Sequence, residues 1–362
     1  MLNYLAPIND LSYGVVGANL LIAMQKQTDV TLFPINVATH NQTWIEAAKR
    51  GVLNQERFDG GAPSLRLWHQ FSLHEHVGSG PHYGYSIFET NKFTEREKHS
   101  MRWLDGMFVC SNWFKKVVEQ EVPELCGKVC VAPLGVDRNT FPAKDLSDSN
   151  WTTFINIGKW EYRKGHDILI KAFNDAFEPR DRVRLIMACH NPFLTPERNG
   201  GKDGNKEWED MYKGTKMGGN ITFVDYVNSQ QDVARLMQEA DCGVFPSRSE
   251  GWNLPLLEMM SCGKHVIATD YSAHTEFCNH NNCYVIPIYE KEEAYDGIWF
   301  HGDVGTWADP GDDRSMCALV NHMRSIHVDK QDGDLVRNEV GIQTAEEFSW
   351  DHTAECILKV VL

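Results

Sequence analysis

Two glutamates separated by seven residues are the part of this sequence best suited to chemistry. Glu250 and Glu258 bracket the run Gly251-Trp252-Asn253-Leu254-Pro255-Leu256-Leu257. Pro255 suits the first turn of a helix and Gly263 the position after the last turn, so the pattern predicts a helix over residues 254–262. The N-terminus of such a helix presents unpaired N–H groups and partial positive charge, which favour phosphate. With a carboxylate on either side to accept hydrogen bonds from hydroxyl groups, the segment indicates a site for a nucleotide sugar.

The elements that must position these residues alternate between strand and helix patterns along the whole chain. The predicted strands cover residues 3–6, 30–35, 65–68, 85–89, 107–110, 129–132, 153–157, 183–188, 221–224, 243–245, 266–268 and 284–286. Alternation of this kind predicts parallel sheets with helices on both faces. The alternation restarts after the polar stretch 141–150, so we expect one Rossmann-like domain over residues 1–142 and a second over 143–347. Ligands bind such sheets at the carboxyl ends of their strands.

The length, net charge and apolar content of the chain limit which kinds of binding partner are expected. The chain has 362 residues, enough for two domains, and a formal net charge of -15 with a pI near 5.4. An acidic protein is not expected to bind nucleic acid or an anionic membrane through bulk charge. The apolar run over residues 11–24 has no basic residue before it and is shorter than the roughly 20 residues of a spanning helix. We therefore expect a cytoplasmic protein without a transmembrane segment, and we leave the oligomeric state open.

Two groups of residues are candidate metal sites, one of histidines and cysteines and one of histidines alone. His274, Cys278, His280 and Cys283 form one group, and His69, His74, His76 and His82 form the other. Neither has the paired C-x-x-C spacing of structural zinc, so surface loops are the preferred interpretation. The 10 cysteines have no regular framework spacing and are expected to be reduced.

The segment around the two glutamates resembles the retaining glycosyltransferases of family 4. The resemblance rests on the strand before Pro246-Ser247, on the glutamate pair itself, and on the turn that closes at Gly263. It implies the GT-B fold, in which two Rossmann-like domains with parallel sheets face each other across a cleft. The first domain would be the acceptor side and the second would bind the nucleotide sugar. The helix over residues 348–362 would cross back to the first domain.

The resemblance also implies roles for individual residues. Glu250 would face the donor sugar, Glu258 the ribose, and Lys159 with Lys164 the diphosphate. Family members usually have arginine where this sequence has Lys159, so charge is kept and bidentate geometry is lost. A solvated basic loop is the alternative for the two lysines. The complete donor-binding prediction is Gly14, Lys159, Lys164, Tyr226, Val227, Glu250, Gly251, Trp252, Asn253, Leu254 and Glu258.

The first domain departs from the family at one position. Many members carry a cleft histidine at the end of the predicted strand 85–89, where this sequence has Glu89. Glu89 is predicted to be a further catalytic residue that contacts the sugar or the acceptor. His69, at the end of another predicted strand, could supply the missing imidazole on the acceptor side. Ordinary residues of the cleft wall are the alternative for both.

The resemblance implies a retaining hexosyltransferase that needs neither cofactor nor metal. The donor would be a nucleotide sugar, with GDP-mannose favoured over UDP-hexoses, and the acceptor a hydroxyl of a glycan, glycoprotein or glycolipid. In a front-face reaction the leaving phosphate takes the acceptor proton, so the main task is to stabilise charge on the departing diphosphate. The alternatives are a sugar-nucleotide epimerase or hydrolase of the same fold, or a nucleotide-sugar-binding protein without transfer activity.

Overall fold

The computed structural model describes residues 1–225, 227 and 229–362. Within them the chain forms two separate parallel sheets of six strands each and one antiparallel hairpin. The contacts divide the chain into two compact units. The first contains Met1–Asp137, Gly302–Gly305 and Phe348–Leu362, and the second contains Arg138–His301 and Thr306–Glu347. The division falls a few residues before the boundary expected at residue 142.

The first unit is built on a parallel sheet with strand order β2-β1-β3-β4-β5-β6. Its strands are β1 (Leu2–Asn9), β2 (Val30–Ala38), β3 (Ser64–Leu67), β4 (His82–Tyr85), β5 (Gly106–Val109) and β6 (Val129–Val131). Its helices are α1 (Ser12–Gln25), α2 (Gln42–Leu53), α3 (Glu95–Met101) and α4 (Asn112–Glu121). The chain order reverses between β1 and β3, so the loops after these two strands lie at the topological switch point, where open α/β sheets bind ligands.

The second unit contains a parallel sheet with strand order β12-β11-β10-β7-β8-β9. Its strands are β7 (Thr152–Gly158), β8 (Val183–Cys189), β9 (Ile221–Phe223), β10 (Cys242–Phe245), β11 (His265–Thr269) and β12 (Tyr284–Ile286). The remaining helices are α5 (His166–Ala176), α6 (Gly204–Lys213), α7 (Gln230–Glu239), α8 (Leu254–Ser261), α9 (Asp313–Asp332), α10 (Glu339–Glu347) and α11 (Trp350–Val361). Here the order reverses between β7 and β10.

Local signals explain where several elements begin. The Thr94 hydroxyl caps α3 in a capping box with Glu97, and Ser111 caps α4 through the N–H of Phe114. The Ser229 hydroxyl accepts a hydrogen bond from the N–H of Asp232 at the start of α7, as the sequence predicts. Strands such as β10 are buried along their whole length, which is typical of parallel sheets covered on both faces. The fold class of two Rossmann-like domains with parallel sheets is thus confirmed.

Two parts of the fold differ from the prediction. The strand expected over residues 85–89 is wrong, because β4 ends at Tyr85. The backbone beyond it pairs with a side chain: the Tyr13 hydroxyl donates to the carbonyl of Ile87 at 2.5 Å and accepts from its N–H at 2.9 Å. The sequence reading also missed the antiparallel hairpin of β13 (Lys291–Tyr295) and β14 (His301–Ala308).

The last helix, α11, belongs to the first unit and lies against α1. Ser349 caps it by accepting a hydrogen bond from the N–H of His352. A side chain on Gly135 would place its Cβ atom 2.2 Å from the backbone nitrogen of Trp350, so only glycine permits this approach. No helix in the described part of the chain is both long and apolar enough to cross a bilayer.

Candidate functional site

Glu250 is the centre of a buried charge cluster in the second unit. It lies in the loop between β10 and α8 and is 4% exposed. Its Oε2 atom accepts from Arg163 Nη1 at 2.8 Å, and its Oε1 atom accepts from Lys164 Nζ at 2.8 Å and from the Ser247 hydroxyl at 2.9 Å. Burial alone would raise the pKa of this carboxyl, but Lys164 and Arg163 hold it well below its ordinary value. Glu250 is therefore ionised in the folded protein.

Arg163 connects Glu250 to the loop that follows β7, a connection that the sequence reading missed. Besides Glu250, its guanidinium donates to the carbonyl of Ser249 at 2.7 Å and to Glu161 Oε2 at 2.8 Å. The next turn ends at Gly165 with a φ of 71°, where a Cβ atom would lie 2.0 Å from the carbonyl oxygen of Pro246. The loops after β7 and β10 therefore meet without space for a side chain at Gly165.

Lys159 lies at the far end of the same cluster. Its ammonium is 2.7 Å from Glu161 Oε1, and its side chain is partly exposed. Burial would raise the pKa of Glu161, but Arg163 and Lys159 lower it to about 2. The cluster contains three cations, Lys159, Arg163 and Lys164, and two anions, so it carries a net positive charge that favours an anionic ligand. Of the two predicted lysines, Lys164 contacts Glu250, whereas Lys159 reaches it only through Glu161 and Arg163.

The start of α8 lies beside this cluster. Asn253 precedes the helix with a φ of 78°, an unusual conformation for a residue other than glycine. Its Nδ2 donates to His274 Nε2 at 2.9 Å, while His274 Nδ1 lies 3.1 Å from the carbonyl oxygen of Thr269. Burial lowers the pKa of His274 to about 4, so the ring is neutral and can accept from Asn253. This arrangement holds the helix N-terminus, at Leu254, close behind Glu250.

Glu258 lies one turn inside α8 and is buried. Burial raises the pKa of its carboxyl to about 8, with no opposing cation. Among the described residues, no ion pair or hydrogen bond to the Glu258 side chain is present. A buried carboxyl of this kind is costly to the fold and suited to hydroxyl donors supplied by a ligand.

The other predicted residues of the second unit occupy several environments. Gly251 is buried, and so is Trp252, whose ring packs against Phe277 with centroids 4.9 Å apart. Trp252 therefore supports the loop with its ring. Val227 is half-buried between β9 and α7. Tyr226 lies outside the described residues.

Three predicted residues belong to the first unit, and each follows the carboxyl end of a strand: Gly14, His69 and Glu89. His69 follows β3, and its ring is 4.6 Å from the ring of Tyr13 and stacks on Phe71 at 5.4 Å. Burial raises the pKa of Tyr13, and the nearby charge of Glu89 raises it further. Gly14 is in the first turn of α1. The structure thus brings Glu89 and His69 around Tyr13.

Gly14 has a packing role that the sequence did not indicate. A Cβ atom at this position would lie 2.1 Å from Asn9 Oδ1 and 2.5 Å from the backbone nitrogen of Asn9. Only glycine therefore lets α1 start so close to the end of β1.

Within the described residues, no three His, Cys, Asp or Glu side chains are arranged to hold a metal ion.

Comparison with known proteins agrees with this geometry. Residues 137–299 match the family model described as glycosyl transferases group 1. The O-antigen chain mannosyltransferase B of Escherichia coli is 27% identical over 199 residues, which are 55% of this chain and 42% of that protein. The D-inositol 3-phosphate glycosyltransferase of Mycobacterium leprae is 24% identical over 243 residues, 64% of this chain and 48% of that protein. The matches thus span about half the length of these curated relatives.

Solved structures show the same fold over nearly the whole chain. The sucrose-phosphate synthase of Thermosynechococcus elongatus superposes with a TM-score of 0.71 at 14% identity, covering 99% of this chain and 97% of that one. HepE of Anabaena, solved in complex with UDP and glucose, gives a TM-score of 0.65 at 15% identity, covering 99% and 98%. The fold is GT-B, as the sequence predicts.

Proposed function

We propose that the protein is a glycosyltransferase that uses a nucleotide sugar as donor. One observation carries the proposal: Glu250, held by Arg163 and Lys164, lies at the switch point of the second sheet, directly before the helix of Glu258, whose carboxyl has no partner among the residues that the structure describes. Net positive charge and a helix N-terminus suit a diphosphate. A carboxyl group on either side suits the hydroxyls of the sugar and of the ribose. The match of residues 137–299 to group 1 glycosyl transferases supports the same function.

Within this proposal, Glu258 accepts hydrogen bonds from the ribose and Glu250 from the donor sugar. Lys164 and Arg163 are shared between Glu250 and the diphosphate. When the glycosidic bond to phosphate breaks, negative charge grows on the diphosphate, and both cations are already in place to stabilise it. Lys159, at the exposed end of the cluster, adds charge at longer range. Glu89 and His69 contact the sugar or the acceptor.

The finer features of the reaction are part of the same proposal. The anomeric configuration of the donor is retained, because the departing phosphate takes the acceptor proton on the face from which it leaves. Neither a protein nucleophile nor a metal ion has a place in this scheme. The sugar is a hexose, with mannose from GDP-mannose favoured. The similarity to the Escherichia coli mannosyltransferase supports that choice.

The test uses the purified chain, a panel of nucleotide sugars and excess EDTA. Even without a known acceptor, we expect slow hydrolysis of the correct donor, with free sugar and nucleoside diphosphate released in equal amounts. Proton NMR of the first sugar released should show the donor's own anomer. The matched control is Glu250→Gln, which keeps the shape of the side chain and should release neither product. Inverted product, or activity that stops in EDTA, would contradict the mechanism; the absence of binding and release with every donor would contradict the function.

A further inference from the structure

A second pocket lies in the same unit, on the other side of the Trp160–Glu161 turn. Its volume is about 630 Å³, within the usual range for small-molecule sites. Residues around β8 and α6 form one wall, and β13 with the turn that follows it in the hairpin forms the other. The sequence reading did not predict this hairpin, and the donor scheme does not use the pocket.

Aromatic rings dominate the walls. Trp160 and Trp208 stack with their ring planes 5° apart and their centroids 5.7 Å apart. Opposite them, Tyr295 and Trp299 at the end of the hairpin are about half exposed, at 55% and 49%. The Trp299 ring is fixed on one edge by Phe193, with centroids 5.2 Å apart. Exposed tryptophans that are held in place offer flat apolar surfaces at a low cost in side-chain entropy.

Four of the side chains that line the pocket are acidic. Glu161, Glu292, Glu293 and Asp296 lie around it, and the described lining residues include no Lys, Arg or His. Asp296 is fixed, because its Oδ1 atom accepts from the N–H groups of Ile298, Trp299 and Phe300 at 2.8 to 2.9 Å. Glu161 is ion-paired with Lys159 and Arg163, and Glu292 with Arg248. Glu293 and Asp296 therefore give the pocket its negative charge, which disfavours phosphates and other anions. The pocket suits a ligand that donates hydrogen bonds and carries no negative charge.

One buried donor in the wall also lacks a partner. The Trp160 side chain is 1% exposed, and its Nε1–H has no hydrogen-bond acceptor among the described residues. An unsatisfied buried N–H costs about 1 to 3 kcal/mol, so it needs an explanation. A ligand oxygen or an ordered water in the pocket would satisfy it.

We propose that this pocket binds an uncharged segment of an oligosaccharide. A pyranose ring has an apolar face of C–H groups, which fits flat against tryptophan, and a rim of hydroxyls, which donate to carboxylates and accept from an indole N–H. The pocket is a glycan subsite distinct from the donor site, and the proposal does not depend on the donor scheme.

The experiment measures binding of three neutral trisaccharides, maltotriose, mannotriose and triacetylchitotriose, with trigalacturonate as an anionic counterpart. Saturation-transfer difference NMR and tryptophan fluorescence report binding to the intact chain, with and without saturating GDP or UDP. The variants are Trp299→Ala and Glu293→Gln, both at exposed positions of the hairpin. The matched control is Trp151→Ala, which removes an exposed tryptophan just before the start of β7, at the opposite end of that strand from the pocket.

We expect at least one neutral trisaccharide to bind at millimolar concentration and trigalacturonate not to bind. Trp299→Ala should weaken binding about tenfold or more, as expected for loss of a tryptophan anchor. Glu293→Gln should weaken it less, and Trp151→Ala should leave it unchanged. The proposal is overturned if no neutral trisaccharide binds, if Trp299→Ala binds as the parent does, or if nucleoside diphosphate displaces the glycan. Trp299→Ala should bind nucleoside diphosphate as well as the parent protein does. A failure of the glycan proposal can therefore be distinguished from a failure of the proposed donor site.

Discussion

Replacing Glu258 with glutamine should stabilise the protein at neutral pH. Burial raises the pKa of this carboxyl from the ordinary 4.5 to about 8. At pH 7 the unfolded chain has lost the proton and the folded chain still holds it, so folding must take up a proton. Glutamine has nearly the same shape as the protonated acid and needs no proton. The substitution therefore removes the free-energy cost of protonating Glu258 when the protein folds.

The size of the gain follows from proton linkage. Each pH unit above 4.5 and below 8 adds about 1.4 kcal/mol to the cost of folding with this carboxyl protonated. At pH 7 the gain is therefore about 3 to 4 kcal/mol as an upper limit. Below pH 4.5 both states of the parent are protonated, and the gain should vanish. It should increase as pH rises from 4.5 and level off above about 8.

The assay is urea unfolding of parent and variant, followed by fluorescence, at several pH values between 4 and 8. Glu250→Gln is the matched control, because the same substitution should act with the opposite sign there. Lys164 and Arg163 hold the pKa of Glu250 below its ordinary value, so its charge stabilises the fold at neutral pH and its loss should destabilise it. The reasoning is refuted if Glu258→Gln is no more stable than the parent at pH 7, or if its advantage does not depend on pH.

Three further predictions concern the charge cluster and the first unit. In calorimetry, Lys164→Ala should weaken nucleoside diphosphate binding by about 1.5 to 3 kcal/mol, the usual loss for a charge-assisted hydrogen bond. Lys159→Arg should bind as well as the parent protein does. If Lys164→Ala also binds as well as the parent, the diphosphate lies elsewhere. Arg163→Ala should lower the free energy of unfolding by about 3 kcal/mol, the lower end for a broken buried pair, because Glu161 and Glu250 each lose one of two cations; an unchanged urea midpoint would contradict this. Glu89→Gln should retain far more transferase activity than Glu89→Ala if Glu89 only positions substrate, and loss of activity in both would indicate an essential charge.

The helix that carries Glu258 could be predicted because its signals are local. Pro255 and Gly263 indicate its start and end, and the observed helix runs from Leu254 to Ser261, with Gly263 at a φ of 74° just beyond it. The alternation of strands and helices was also sufficient to predict both parallel sheets. These features depend on backbone propensities within a few residues, which a single sequence contains.

The role of Arg163 could not be predicted, because it depends on the docking of two distant loops. Arg163 and Glu250 are 87 residues apart. The segment after β7 holds three cations, and only the turn over residues 162–164 decides that Arg163 is buried while Lys159 remains partly exposed. In the sequence, a role for Arg163 was indicated solely by its position directly before Lys164-Gly165. The resemblance directed attention to the two lysines instead.

The hairpin was missed for a different physical reason. Strands are recognised by apolar alternation, and β13 reads Lys-Glu-Glu-Ala-Tyr, with only Ala294 buried. Its pairing with β14 and its contacts with Phe193 stabilise it, and neither is visible in the local pattern. The error at β4 is similar. There, the hydroxyl of Tyr13, distant in sequence, takes the backbone bonds that a longer strand would have made.

The most direct test of the donor site is calorimetric titration of the parent, Glu250→Gln and Glu258→Gln with nucleoside diphosphate, together with turnover of the nucleotide sugar. Glu258→Gln should weaken binding of the diphosphate, because the two ribose hydroxyls of that ligand need both acceptor oxygens of a Glu258 that loses its proton on binding, whereas glutamine offers one oxygen and an N–H donor. Glu250→Gln should bind it at least as well as the parent, since a negative charge is removed beside the diphosphate, yet turnover should be lost because the partner of Glu250 is the sugar. Equal losses of diphosphate affinity in both variants, or an unchanged affinity in Glu258→Gln, would contradict the division of roles on which the proposed function rests.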